Sequence, residues 1–425
     1  MSDSLPAGAA DGATEFPVAA QRAKFPALAR AGDFIFFDNA AGAQIPQGAF
    51  DAVNDHLLNH NVQRGGPYDR SRAVDASVQR GRESVADFLN ARDPSEICFG
   101  MNATSFIRLV SLGVAQTISR RNEIVVTDLD HDANVATWLA LERMGVNIVW
   151  WKMRDGGVLD VNDLKPLVNQ RTRLVACTVV SHALGSLVDV AAAARIAHAA
   201  GADIFLDCVH YSPHAPIDVQ AWDCDFLVCS GYKAFAPHMG FLYGKREKLV
   251  ALPTFREDFI PNEPPYKVEA GTFIYENVAG MDAAIAYLAE LGATIGGRNE
   301  PASRRENLLR AMTAIKTYET RLSRAMLEAL HFAGATVYGV SDAAHVDRRV
   351  PTFAFNLPGV KPLAICDAMS DAGIGIREGH MYTPRLMRRL GVSPETGVVR
   401  ASLVHYNTLD EVKRFGEVLK GLRAR

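Results

Sequence analysis

The chain has 425 residues, with 45 Lys and Arg against 48 Asp and Glu, and it carries a formal net charge of −3. At roughly 150 residues per domain, this length predicts two or three structural units. A nearly neutral charge without a long basic block argues against nucleic acid or a membrane surface as the main partner. The six cysteines are scattered and form no CxxC pair. They therefore exclude a disulfide framework and a zinc site, and they predict a cytoplasmic protein without a metal.

Neither an export signal nor a membrane span is expected. The segment Met1–Glu15 is rich in Ala, Gly and Ser and lacks the basic-then-apolar order of a signal peptide. It predicts a mobile N-terminal tail. The most apolar stretch, Val188–Phe205, is interrupted by four polar residues, so it falls short of the run of about 18 apolar residues that marks a transmembrane helix.

Short apolar runs typical of strands alternate with helical patterns from about residue 34 to residue 244. The predicted strands are Glu96–Phe99, Glu123–Val126, Asn147–Trp151, Leu174–Val180, Ile204–Asp207 and Phe226–Cys229. Helical spacing of apolar residues predicts helices over Asn102–Ser119 and Val188–Ala200. This alternation predicts an α/β domain with a mostly parallel sheet, in which ligands bind beyond the carboxyl ends of the strands.

The pattern changes after about residue 271. A long helical region is predicted from Val278 to Leu330, with an interruption near Gly292–Arg298, and further strands and helices follow up to Glu411–Leu422. We therefore expect a large domain over residues 32–294. Residues 16–31 and 295–425 are expected to form a smaller α+β domain.

Two polar residues close apolar strands of the predicted sheet. Lys233 follows the run that begins at Phe226, and a lysine at the end of a buried strand can lose solvation, which lowers its pKa and makes the amine a nucleophile. Asp207 closes another strand, where a buried carboxylate needs a cationic partner such as a pyridinium nitrogen. Taken alone, such a lysine is more often a solvated strand-end residue, and such an aspartate is more often a helix cap or turn residue.

Two loops carry further candidates. The segment Asn102–Ser105 begins an amphipathic helix, where free backbone N–H groups and the Thr104 hydroxyl suit a phosphate. An ordinary helix cap explains Asn102 as well. His131 follows the strand that begins at Glu123, and its imidazole could stack on a flat ring or move protons.

Eight short motifs, in order along the chain, resemble the class V aminotransferase superfamily, most closely its cysteine desulfurase branch with the selenocysteine lyases. They span about residues 25–419 and are Phe37–Ala41, Asn61–Gly65, Asp130–Asn134, Val180–Gly185, Asp207–His210, Ser230–Lys233, Glu269–Thr272 and Arg400–Ser402 running into Tyr406–Thr408. The resemblance implies fold type I of the pyridoxal phosphate-dependent transferases: a large domain with a mostly parallel seven-stranded sheet and a smaller α+β C-terminal domain. It also implies a homodimer with active sites at the interface.

The same resemblance implies roles for individual residues. Lys233 would hold pyridoxal phosphate as a Schiff base, Asp207 would pair with the pyridine nitrogen, and His131 would stack on the ring; these three are the catalytic candidates. The cofactor-binding residues implied are Ala103, Thr104, His131, His182, Asp207, His210, Ser230, Tyr232 and Lys233, with Gly271 and Thr272 from the other subunit. The substrate-binding residues implied are Arg400, which would clamp the α-carboxylate with its guanidinium fork, and Arg377, Arg64, Ala41, Tyr382 and His380.

The chain departs from the desulfurase pattern in one loop and at the cofactor. The desulfurase loop Arg-x-Gly-His-His-Cys takes sulfur on its cysteine, whereas this chain has Tyr382 at that position. Cys366 is expected on a buried helix, and Cys208 is expected to face away from Asp207 because strand side chains alternate. At the cofactor, His182 replaces an Asn, His210 replaces a Gln and Tyr232 replaces a His. The two histidines are expected near the phenolic oxygen, where either could donate to it or simply repeat the bond of the residue it replaces.

These departures predict that the chain is not an ordinary cysteine desulfurase. The preferred hypothesis is a pyridoxal phosphate-dependent lyase that acts through elimination, with cleavage of a C–S or related bond, on a small amino acid. Tyr382 and His380 could serve as acid or donor toward a leaving group, or they could line the pocket. The alternatives are a class V aminotransferase or an amino-acid epimerase and, more remotely, a non-catalytic scaffold.

Overall fold

The fold is seen in a computed structural model, which describes residues 16–269, 271–297 and 302–423. The predicted tail Met1–Glu15 lies outside these residues. The described helices are α1 Val18–Arg22, α2 Pro26–Arg30, α3 Gln47–Asn59, α4 Asp69–Leu89, α5 Ala103–Ala115, α6 Ala133–Leu139, α7 Val161–Leu164, α8 Val190–Ala199, α9 Val219–Trp222, α10 Arg246–Ala251, α11 Tyr275–Gly296, α12 Arg304–Phe332, α13 Pro362–Asp371, α14 Pro384–Arg389 and α15 Leu409–Arg423.

A seven-stranded mixed sheet is the centre of the fold. The described strands are β1 Ile35–Phe36, β2 Ile97–Gly100, β3 Glu123–Thr127, β4 Asn147–Trp151, β5 Thr172–Thr178, β6 Asp203–Asp207, β7 Phe226–Ser230, β8 Gly240–Gly244, β9 Thr336–Tyr338, β10 Thr352–Asn356, β11 Ile374–Gly375, β12 Arg377–Gly379 and β13 Val398–Ser402. The central sheet has the order β2–β8–β7–β6–β5–β3–β4, and β8 is its one antiparallel strand. The predicted fold class, with its mostly parallel seven-stranded sheet, is confirmed.

Each predicted strand is present, with small shifts at the ends. The largest shift is at β5, which was expected over Leu174–Val180 and ends at Thr178. The chain leaves the sheet there because Val180 pairs with Leu187 in an isolated bridge. The predicted helices over 102–119 and 188–200 are present as the shorter α5 and α8, and the long helical region is divided into α11 and α12.

Helix α11 bears on the expectation that the chain has no membrane span. It is the one helix in the described ranges that is long and apolar enough, by length and composition, to cross a membrane, with a mean hydropathy of 1.3 in its most apolar window. Half of that window is buried within the protein. Because α11 packs against α3, α4 and α12, its apolar side chains are explained by the protein's own core.

A four-stranded antiparallel sheet follows the central sheet in sequence. Its order is β12–β13–β10–β9, and β1 pairs separately with β11 in a parallel bridge. In its ladder, Arg377 of β12 lies opposite Arg400 of β13, so both arginines leave the same face of the sheet. The expected domain limits stay a prediction.

Candidate active site

A cavity opens at the carboxyl ends of β5, β6 and β7, the edge where an α/β sheet is expected to bind its ligand. The space within it, open solvent at its entrance included, is about 440 Å³. The residues that line it are Ala103, Thr104, Ile107, His131, Ala133, Thr178, His182, Asp207, Val209, His210, Ser230, Tyr232 and Lys233. All predicted cofactor residues except Gly271 and Thr272 therefore meet here. We call Asp207, Ser230, Lys233 and the start of α5 the cavity floor.

Lys233 has the environment of a nucleophilic amine. It follows β7 directly and only 6% of its surface is exposed. Within the described ranges, no hydrogen-bond acceptor or carboxylate pairs with its Nζ. Burial, together with the positive charge of nearby Arg400, lowers the pKa of Lys233 to about 8. About a fifth of the amine is therefore neutral near pH 7.4, whereas well under 1% of an ordinary lysine is.

Asp207 is a buried carboxylate that is only partly satisfied. It ends β6, and its Oδ1 accepts one hydrogen bond, from the N–H of Val209 at 3.0 Å. Burial raises the pKa of Asp207 above its ordinary value. A cationic nitrogen placed in the cavity would stabilise the charged form of this carboxylate.

The start of α5 supplies donors next to the floor. Asn102 caps the helix through the N–H of Ser105 at 2.9 Å, and the N–H of Ala103 donates to Oγ of Ser230 at 3.1 Å. Thr104 lines the cavity, so its hydroxyl is placed for an anion at a helix N-terminus. Gly240 of β8 allows this approach, because a Cβ there would lie 2.5 Å from the main chain of Asn102.

His131 is fixed by the loop that carries it. Its Nδ1 accepts the N–H of Ala133 at 3.0 Å, so the neutral imidazole carries its proton on Nε2. Burial lowers the pKa of His131 to about 4, and the ring is therefore neutral. The preceding residue, Asp130, accepts from Asn134 at 2.7 Å and from the N–H of Thr178 at 3.1 Å, which ties the loop to β5.

The two histidines expected near the cofactor's phenolic oxygen bind protein groups. Nε2 of His182 donates to the carbonyl oxygen of Met381 at 2.6 Å, since a carbonyl can only accept. Burial lowers the pKa of both His182 and His210 well below the ordinary value, so each ring is neutral and has one N–H. The single N–H of His182 is therefore used by Met381 in this structure. His210 shares a bond with Oγ1 of Thr352 at 2.9 Å, and its Nδ1 is a buried atom without a partner in the described part of the chain.

Charged side chains gather at the opening of the cavity. Nε of Arg377 donates to both carboxylate oxygens of Asp38 at 2.8 Å. Arg400 is 1% exposed; it donates to the carbonyl oxygen of His182 at 3.0 Å and to Asp38 at 3.3 Å. Its Nε is buried and has no partner among the described residues. Arg400 therefore keeps one free donor, its Nε, whereas the donors of Arg377 are largely occupied. The binding of a substrate carboxylate by Arg400 stays a prediction.

Residues 380–383, which we call the Tyr382 loop, complete the opening. The Tyr382 hydroxyl accepts from Arg377 at 3.1 Å, and its ring stacks on His131 with centroids 5.8 Å apart. His380 supports the loop locally, because its Nδ1 accepts the N–H of Tyr382 at 3.1 Å. We call Asp38, Arg377, Arg400 and the Tyr382 loop the cavity mouth.

Some predicted residues lie away from this cavity. Arg64 pairs with Asp75 at 3.0 Å, and the hydroxyl of Thr272 accepts from the neighbouring Gln63. Gly271 is exposed beside Thr272. Ala41 lies in a groove next to the mouth, together with Asp38 and Arg377.

The sequence interpretation gave no role to Asp38 or Asp130. Both lie inside motifs that carry the family resemblance, Phe37–Ala41 and Asp130–Asn134, so the sequence did mark these two positions. The sequence interpretation also gave no role to His214 and Glu319, a buried pair whose Nδ1 and Oε2 atoms are 2.7 Å apart. The ring of His214 contacts the ring of His210.

Comparisons with known proteins agree with this geometry. The sequence profile of the family described as aminotransferase class V matches residues 35–415. The chain belongs to the class V aminotransferase family. This class V aminotransferase is 32% identical over 403 residues to a probable cysteine desulfurase of Synechocystis sp., with 91% of this chain and 90% of the relative covered. It is 31% identical to the aminotransferase-like protein FGM3 of Gibberella zeae, with 94% of this chain and 96% of the relative covered.

A solved structure extends the likeness to three dimensions. The apo structure of a cysteine desulfurase from Thermococcus onnurineus NA1 superposes with a TM-score of 0.85 at 26% identity, over 97% of this class V aminotransferase and 99% of that chain. The protein is thus a pyridoxal phosphate-dependent enzyme of fold type I.

The cavity floor fits this cofactor. The unpaired amine of Lys233 suits the aldehyde, the half-satisfied Asp207 suits the pyridine nitrogen, and the start of α5 suits the phosphate. The contacts of individual residues with the cofactor stay predictions.

Proposed function

We propose that this member of the class V aminotransferase family is a lyase that eliminates a group from a small amino acid by cleaving a C–S or related bond, and that it is not an ordinary cysteine desulfurase. The observation that carries the proposal is Tyr382, whose phenol stands at the cavity mouth. The desulfurase loop that the sequence resembles has a cysteine at this position. A phenol cannot accept sulfur as a persulfide, because that chemistry needs a nucleophilic thiolate.

The cysteines of the chain support this proposal. Five are buried, and Cys366 on α13 is half-buried rather than fully buried as expected. Not one of the six lines the cavity. Burial raises the pKa of the Cys366 thiol to about 12 and the pKa of Cys208 well above its ordinary value. These thiols are therefore protonated and poorly nucleophilic near neutral pH.

The side chains of the cavity supply the remaining steps of an elimination. When bound, pyridoxal phosphate withdraws electrons from the α-carbon of an amino acid. Arg400 binds the α-carboxylate through its free Nε donor. The Lys233 amine, with its pKa lowered to about 8, removes the proton at the α-carbon. Tyr382, whose hydroxyl accepts from Arg377 and whose ring stacks on His131, stands at the mouth next to these groups.

We also propose a cytoplasmic homodimer. Gly271 and Thr272 are exposed and lie outside the cavity of their own chain, which suits residues that complete the site of a second copy. Sedimentation of the holoenzyme should give twice the mass of one chain, and a monomer would contradict the assembly. Cell fractionation would test the location.

The experiment that tests the proposed reaction is product analysis of the holoenzyme on a panel of small amino acids. Elimination predicts ammonia and a keto acid in equal amounts. Conversion of the cofactor to its amine form would instead show transamination. Solvent deuterium at the α-carbon without net conversion would show epimerisation. Either of the last two outcomes as the main reaction would overturn the proposal, and so would a purified protein that does not take up the cofactor.

A further inference from the structure

Two consecutive residues of the Tyr382 loop adopt a conformation that side chains rarely take. Met381 has φ of 50° and Tyr382 has φ of 59°, both in the left-handed region that favours glycine. Such residues persist only where the surrounding structure imposes the conformation, and they gather at functional sites. The contacts of this loop therefore indicate which groups impose its conformation.

Three hydrogen bonds attach the loop to the wall of the cavity. Nε2 of His182 donates to the carbonyl oxygen of Met381 at 2.6 Å. The N–H of Asp132 donates to the carbonyl oxygen of Tyr382 at 3.0 Å, and Oγ1 of Thr383 donates to the carbonyl oxygen of Asp130 at 3.0 Å. Of these three, the bond from His182 is the one made by a side chain that lines the cavity.

The chemistry of His182 suits this attachment. Its imidazole is neutral because burial lowers its pKa, and the carbonyl of Met381 fixes the proton on Nε2. Met381 is itself 3% exposed, so its carbonyl would lack a partner without this donor. A glutamine places an amide N–H near the position of Nε2, whereas an asparagine places it near Nδ1. An asparagine at residue 182 would therefore not reach Met381.

We propose that His182 is a positioning residue that fixes the Tyr382 loop at the cavity mouth, so that Tyr382 is a permanent wall of the substrate site rather than the tip of a mobile arm. The proposal rests on the proposed function in one respect: a loop without a sulfur-accepting thiol has no group to carry to an outside acceptor. His182 thereby acts through Tyr382, whose ring stacks on His131 at the cavity mouth.

The test is hydrogen exchange of the holoenzyme without substrate, followed by mass spectrometry of peptides that contain residues 380–384. In wild type, the N–H of Thr383 donates to His380, and we expect the loop amides to be protected. In H182N they should exchange about tenfold faster, because one hydrogen bond is lost. In H182Q the donor is kept, and exchange should stay within about twofold of wild type.

His210→Asn is the matched control, because His210 also lines the cavity but bonds to Thr352 and not to the loop. It should leave exchange at residues 380–384 as in wild type. Equal exchange in H182N and wild type, or equal loosening in H182Q and H182N, would overturn the proposal. If H182N does not fold, the wild-type measurement still tests the proposal, because loop amides that exchange freely in wild type would overturn it. None of these readouts depends on the reaction catalysed, so the proposed function can fail while this proposal stands.

Discussion

The floor and the mouth of the cavity are built in different ways. The floor lies at the ends of strands within the central sheet, and its reactive groups are left unpaired by the protein: Lys233 has no partner among the described residues, and Asp207 accepts one bond. At the mouth, Asp38 binds both Arg377 and Arg400, and the hydroxyl of Tyr382 is bound by Arg377. The reactive groups of the floor thus have few protein partners, whereas the side chains of the mouth hold one another and, within the described ranges, leave only the buried Nε of Arg400 free.

The floor follows from the topology of the central sheet, whereas the mouth depends on a loop particular to this sequence. Strand ends of the central sheet bring Lys233 and Asp207 together by topology alone, because parallel strands end at the same edge. The mouth depends on a loop with two residues at positive φ, each of which costs on the order of 1 kcal/mol. The floor therefore suits the cofactor, and in our proposal the mouth determines which reaction follows.

The largest effect is expected at the floor, from Lys233→Ala. Without the amine, the cofactor has no covalent attachment and no proton carrier, and turnover should fall by at least about 10³-fold. Borohydride reduction followed by peptide mass spectrometry should show cofactor on the peptide of Lys233 in wild type and none in the variant.

Lys267→Ala is the matched control for this variant. Lys267 is as buried as Lys233, at 6% exposure, but donates to the carbonyl oxygen of Val250. It should keep the reducible cofactor. Full turnover in Lys233→Ala would contradict the role given to the floor.

Arg400→Lys should produce the next effect, at the mouth. A lysine keeps the charge but loses the planar fork and the buried Nε donor, so kcat/KM should fall by about 100-fold, mostly through KM. Steady-state kinetics measures this, and the visible absorption of the bound cofactor should be unchanged. Loss of the cofactor in this variant would show that the mouth is needed for cofactor binding as well as for substrate binding.

The floor should also show a pH dependence of its own. The neutral amine of Lys233 is the form that attacks an aldehyde, and with a pKa of about 8 its fraction rises about 50-fold from pH 6 to pH 8. The rate of cofactor capture by the cofactor-free protein should rise with pH in the same way and level off above about 8. A rate that keeps rising toward pH 10.5, the ordinary value for lysine, would mean that Lys233 is solvated.

The smallest effect is expected from Tyr382→Phe. The ring can still stack on His131 and keep the wall in place, so kcat should fall by about 3- to 10-fold through loss of the hydroxyl bound by Arg377. Comparison of kcat for wild type and the variant on the same substrate measures this. A loss as large as that of Lys233→Ala would make the phenol a required proton donor instead of a wall.

The fold and the floor could be predicted from the sequence because their signals are local. Apolar runs of strand type located β2 to β7, and Lys233 and Asp207 stand directly at strand ends. The mouth could not be predicted in the same way, because Asp38 and Arg377 are 339 residues apart and His182 and Met381 are 199 residues apart. The positive φ of Met381 and Tyr382 has no signal in residue type, since neither is glycine or asparagine. The apolar character of α11 was also missed, although its residue types show it; what the sequence does not show is that α3, α4 and α12 pack against it.

The central claim is that the Tyr382 loop prevents sulfur transfer, and one measurement tests it most directly. The holoenzyme is given one equivalent of L-cysteine without reductant, and alanine and persulfide on each of the six cysteines are measured by mass spectrometry. The account predicts neither alanine nor a persulfide on any cysteine. Alanine formed in proportion to a persulfide on one of these cysteines would contradict it.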